Sequence, residues 1–92
     1  MKSPQECRHL EYVFKGAANH RRLQIMFLLH EQPELSVDDI ADKLKININT
    51  AGDHIRKLAI VGLIMKRNDG QFVRHKLTIR GNNILASCKI LV

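Results

Sequence analysis

Ser36-Val37-Asp38-Asp39-Ile40-Ala41-Asp42-Lys43-Leu44-Lys45-Ile46-Asn47-Ile48-Asn49-Thr50-Ala51-Gly52-Asp53-His54-Ile55-Arg56-Lys57-Leu58-Ala59-Ile60-Val61 reads as two helices joined by a tight turn. Ser36 suits the cap of the first helix. Asp39, three residues on, imitates a capping box with Asp where Glu or Gln is usual. Val37, Ile40, Ala41 and Leu44 recur at helical spacing and supply its buried face. Lys45 and Ile46 leave room only for a short connection. Asn47 then caps a second helix that runs to about Val61, with Ala51, Ile55 and Leu58 pointing inward. Gly62 fits its C-terminus, where a left-handed residue is favoured. A short helix packed across a second through a tight turn is a helix-turn-helix, placed here at about 36–61.

Working outward, the N-terminal side predicts two more helices. One spans about 4–18, with Pro4 in its first turn and Cys7, Leu10, Phe14 and Ala17 on an apolar stripe beside Val13. Asn19 caps the next. It carries Leu23, Ile25, Met26, Phe27, Leu28 and Leu29 and is apolar nearly all round, as a central buried helix should be. Pro33 lies beyond its end.

On the C-terminal side the period changes from helical to alternating. Leu63–Arg67 and Phe72–Leu77 read as two strands. Asn68-Asp69-Gly70-Gln71 lies between them, and Asp-Gly predicts the centre of a two-residue turn. This wing covers about 63–77. Val73, His75 and Leu77 share one face of the second strand, and Phe72, Arg74 and Lys76 the other. Thr78 caps a last helix at about 79–91, whose stripe is Ile84, Leu85, Cys88 and Leu91. The fold class is therefore mainly α with a small β-hairpin: one winged helix-turn-helix domain over residues 1–92, in the order α-α-α-α-β-β-α.

Charge agrees with that architecture. The 92 residues carry a net +6. Met1–Asp42 holds 5 Lys/Arg against 7 Asp/Glu, whereas Lys43–Val92 holds 10 against 2. A basic half carrying a helix-turn-helix points to nucleic acid. The outward positions of the fourth helix are Ile48, Asn49, Gly52, Asp53 and Arg56. Asn49 suits an adenine edge, and Arg56 a guanine or a phosphate. Asp53 repels phosphate but can accept from a cytosine amino group. Gly52 costs about 1 kcal/mol in a helix interior. Lys66, Arg67, Arg74 and Lys76 load the hairpin, opposed there only by Asp69.

The stretch from Phe14 to Leu77 resembles the ArsR-type winged-helix repressors. Lys15-Gly16-Ala17-Ala18-Asn19-His20-Arg21-Arg22-Leu23-Gln24-Ile25 is similar to that family's Ala-Asn-Pro-x-Arg opening followed by Leu-x-Ile, with His20 in place of proline. Leu44–Ile64 resembles its recognition segment, including Thr50, His54, Leu58 and Gly62-Leu63. Gly70–Leu77 resembles its wing. Leu77-Thr78-Ile79-Arg80-Gly81 is similar to the Leu-Thr-x-x-Gly that follows the wing in several other winged-helix families. The resemblance implies operator DNA as partner and a homodimer built from the first and last helices. The candidate DNA-binding residues are then Asn49, Thr50, Asp53, His54, Arg56, Lys57, Lys66, Arg67, Arg74 and Lys76. The candidate dimer residues are Cys7, Leu10, Phe14, Ile84, Leu85 and Cys88. Ser36 and Asp38 occupy the positions of the family's Cys-x-Cys metal sensor, and the last helix has no His, Asp or Glu. No metal or other cofactor is expected, and no effector is implied.

No run approaches the about 18 apolar residues of a membrane span. Met1–Glu6 lacks an apolar signal-peptide core, so a soluble, cytoplasmic protein is expected. Cys7 and Cys88 form neither a CxxC pair nor a disulfide framework; they are expected as small buried side chains, with a redox pair or shared metal site as alternatives. His9, His20, His30, His54 and His75 make no ligand spacing. No nucleophile with a base, phosphate loop or acidic cluster suggests an enzyme. A winged helix serving as a protein-interaction or assembly module is the main alternative. RNA is a further one.

Overall fold

A computed structural model describes all 92 residues. The elements are α1 (Pro4–Ala17), α2 (His20–Glu31), α3 (Val37–Leu44), α4 (Ile48–Ile60), β1 (Ile64–Asp69), β2 (Phe72–Leu77) and α5 (Ile79–Leu91). This is the α-α-α-α-β-β-α order expected of a winged helix-turn-helix.

Each helix starts where a side chain takes up backbone N–H groups that would otherwise be orphaned. Ser3 and Glu6 form a capping box ahead of α1, with Pro4 in the first turn. Asn19 accepts from the N–H groups of Arg21 and Arg22 at 2.9 and 3.1 Å. Ser36 accepts from Asp39 N–H at 3.2 Å, and the Asp39 carboxylate accepts in return from Ser36 N–H at 3.1 Å. Those bonds hold the Asp39 carboxyl below its ordinary pKa. Asn47 caps α4, and Thr78 caps α5 by accepting from Gly81 N–H at 3.0 Å. Lys45 ends α3 in the left-handed region, with φ 56°. That single residue turns the chain from α3 into α4.

α2 is the centre of the molecule and packs on α3, α4, α5 and β2. It is not apolar all round in effect: Ile25, Met26 and Leu29 are buried, but Phe27 is exposed. The core joins these three to Val13 and Ala17 of α1, Ile40 of α3, Ile55 and Leu58 of α4, and Val61, Leu63, Ile64 and Leu85. Leu85 is a correction to the expected dimer stripe. At 1% exposure it belongs to the protomer's own core. Of the cysteines expected as small buried side chains, Cys7 is exposed in the protomer and Cys88 is half-buried.

The strands pair antiparallel from Ile64↔Leu77 to Asp69↔Phe72. The loop is therefore Gly70-Gln71, one residue later than the Asp-Gly cue predicts. In this loop only Gly70 has a positive φ, 63°. That matches a II′ turn, which wants glycine first, whereas I′ needs both residues left-handed. The wing is tied to the body at Leu35, which forms an isolated bridge with His75. Glu34 N–H donates to His75 O at 2.8 Å, and His75 N–H donates to Leu35 O at 2.9 Å. No helix is long and apolar enough to cross a membrane.

Candidate nucleic-acid interface

α4 presents Ile48, Asn49, Gly52, Asp53 and Arg56 on one outward surface, where with Val37 of α3 they line an open hollow of about 580 Å³. Ala51, Ile55 and Leu58 anchor the opposite side in the core. The outward set is the one the helical period predicts. Thr50 is exposed on the first turn of α4.

Two expected members of the set point elsewhere. His54 turns toward α2, where its Nδ1 lies 3.4 Å from an Arg22 guanidinium nitrogen. Burial, then the Arg22 and Lys57 cations, push its pKa below the ordinary imidazole value. The same guanidinium reaches Lys15 O at 3.5 Å, while its Nε is buried without a partner. Lys57 lines a separate hollow with Tyr12, Lys15, Gly16, Arg22, Ile60 and Val61. His54 and Lys57 thus flank α1 and α2 rather than the trough beside α3.

The wing divides its cations between two faces. Lys66, Asn68, Val73 and His75 face Val37, Gly52 and Ile55, lining a second hollow of about 410 Å³ between wing and α4. Arg67 and Arg74, a directly opposed pair, lie on the other face with Lys76. Each of the opposed arginines pairs with a carboxylate. Arg67 pairs with Glu34 at 3.2 Å, and Arg74 with Asp69 at 3.1 Å. Arg74 also donates to Glu34 O at 3.4 Å and lies 5.4 Å from the Phe72 ring centroid. On α4, Arg56 pairs with Asp53 at 2.7 Å. Lys66 and Lys76 therefore remain the unpaired cations of the wing. Glu34, on the α2–α3 loop, is missing from the sequence reading. It has φ 68° and its N–H donates to His75 O of β2, and no local pattern announces a partner 33 residues from Arg67.

His75 seats the wing. It is 3% exposed, and its Nδ1 lies 2.8 Å from Leu35 O, so Nδ1–H donates there. Burial lowers its pKa, against the Leu35 hydrogen bond, with Lys66 adding to the depression.

Between α1 and α5, Leu10, Phe14, Ile79 and Ile84 line a groove open to solvent. Phe14 is 53% exposed and Ile79 82%. At the family's sensor positions, Ser36 is committed to its cap and Asp38 is exposed.

The profile of the MarR family matches residues 18–71. The chain is 32% identical over 65 residues to a cadmium resistance transcriptional regulatory protein, a CadC homologue of Staphylococcus aureus; the match covers 71% of this chain and 54% of that protein. It is 33% identical over 66 residues to the transcriptional activator HlyU of Vibrio cholerae, covering 72% of this chain and 60% of the other. The chain thus spans between half and two thirds of the length of these curated relatives. Among solved structures, the homodimeric winged helix-turn-helix DNA-binding domain of Mb0332 from Mycobacterium bovis, a possible ArsR-family regulator, superposes with a TM-score of 0.85. That match is at 26% identity and covers 98% of this chain and 86% of the other.

Proposed function

This chain belongs to the MarR family, and on that premise we propose that it is a transcriptional regulator that binds double-stranded DNA as a homodimer. In this reading α4 enters the major groove and the wing lies along the flanking backbone or adjacent minor groove. The observation that carries it is the shared trough. Asn49, Asp53 and Arg56 of α4 lie outward on one side, and Lys66 and Asn68 of the wing face it from the other. Hydrogen-bonding groups are thus presented on both sides of a helix face that is bare at Gly52. Thr50 and Lys76 contact phosphates on either flank.

The finer proposal is an ArsR-type repressor without a metal sensor. The Lys15–Ile25 segment and the superposition on Mb0332, a possible ArsR-family regulator, support it. Dimerisation is assigned to the α1–α5 groove. Leu10, Phe14 and Ile84 form the contact there, with Cys7 and Cys88 at its margins.

The neutralised Asp53–Arg56 pair favours one competing reading, a winged helix that docks on protein. Fluorescence anisotropy of labelled random duplex DNA at low salt, with duplex RNA as competitor, separates them. Binding to duplex DNA that weakens steeply with salt is expected. Absence of binding at low salt, or displacement by RNA at equal concentration, overturns the proposal.

A further inference from the structure

Four of the five glycines have a reason inside the molecule. A Cβ on Gly16 or Gly81 would collide with Val61 or with the Leu63 backbone, and Gly62 and Gly70 have positive φ. Gly52 has none. It sits within α4 in ordinary helical conformation, and an added Cβ would meet only Val37 Cγ2, at 4.0 Å. Alanine would fit there and would favour the helix. The missing side chain therefore serves the outside of the helix, where it joins the two hollows. Val37 and Gly52 line both of them.

The floor so opened is aliphatic: Val37, the exposed Ile48 and the bare Gly52 backbone. Its rim is polar, with Asn49 and the Asp53–Arg56 pair on one side and Lys66 and Asn68 on the other. An apolar floor rewards no hydrogen-bonding edge. The one apolar group that the four bases present in the major groove is the C5-methyl of thymine. Resting on the DNA-binding reading above, we propose that the Val37–Ile48–Gly52 notch is a specificity element that takes a thymine methyl in each half-site. Gly52 lets the base edge approach the α4 backbone. Val37 and Ile48 cover the methyl. Asn49 engages the neighbouring base.

The test begins with a duplex selected from a random library by the full chain. Each thymine is then replaced singly by deoxyuridine, which removes only the methyl. One thymine per half-site should show a weakening of about threefold to fivefold, the size expected for burying one methyl. Gly52→Leu fills the notch. It should abolish that thymine dependence while keeping salt-sensitive binding to random duplex. Gly52→Ala should unfold at the same or a higher temperature than the parent chain, since packing does not need the glycine. Parent-like binding by every uracil duplex overturns the notch and leaves the DNA-binding reading standing. A Gly52→Ala chain that unfolds at a lower temperature also overturns it, because the glycine then serves the fold. Failure of the parent chain to bind any duplex overturns both.

Discussion

Asp53 and Arg56 lie one turn apart on α4, with the carboxylate 2.7 Å from the guanidinium and both side chains about 60% exposed. A pair this exposed contributes little to stability. Its effect falls on the surface field, because it cancels a cation on the face assigned to DNA. Asp53→Ser should leave folding unchanged. It should tighten binding to random duplex and steepen the salt dependence by about 0.9 units, the value of one added phosphate contact. Unchanged affinity for random DNA contradicts that role. His75 is the second telling residue. Its folded-state pKa lies below the ordinary imidazole value, so the unfolded chain binds more protons in the interval between the two. Stability is then complete above about pH 6.5, the unfolded value, and declines as pH falls toward the depressed folded value. His54 adds in the same sense. Melting temperature should fall as pH is lowered below about 6.5, the ordinary imidazole value, and His75→Gln should flatten the fall. A parent chain whose melting temperature is flat over this range contradicts the buried neutral imidazole.

At the scale of elements, helix starts were legible because their signals are local. Asn19, Ser36, Asn47 and Thr78 each cap the helix that follows. The capping box at Ser3 went unread although it has the usual Glu at the third helical position. The turn of the wing was displaced by one residue because Asp-Gly is only a local preference. The ladder extends instead to Asp69↔Phe72, and Asp69 pairs with Arg74. The wing's electrostatics were less legible still. Period-2 alternation separates Lys66 from Arg67, but the anion that holds Arg67 comes from the α2–α3 loop. Free and paired cations should differ in a salt titration. Lys66→Ala should flatten the dependence of log affinity on log salt by about 0.9 units, and Arg67→Ala by much less. Equal losses at the two positions contradict the division of the wing.

At the scale of the whole molecule, the core was read well where an element has one apolar face. Ile40, Ala51, Ile55 and Leu58 all point inward. α5 defeated that logic because it carries apolar residues on both sides. Leu85 and Gly81 pack on the body, while Ile79, Ile90 and Leu91 face out. Periodicity lists apolar positions without saying which side meets the protomer's own core. The exposed side, with Leu10 and Phe14 of α1, is the surface assigned to the second copy. Phe14 is half-exposed in the protomer, so Phe14→Glu should fold. It should sediment as a monomer at about tens of micromolar, a range that tests a stable interface, where the parent chain is a dimer. A parent chain that is itself monomeric there contradicts the dimer assignment.

On the proposed reading, duplex DNA lies in the trough between α4 and the wing, away from the α1–α5 surface. Amide chemical-shift mapping tests it directly, by titrating isotope-labelled protein with a short duplex at low salt. Shifts should concentrate on residues 47–56 and 64–76, with α1 and the second half of α5 quiet. Shifts confined to α1 and α5, or none at saturating duplex, would contradict it.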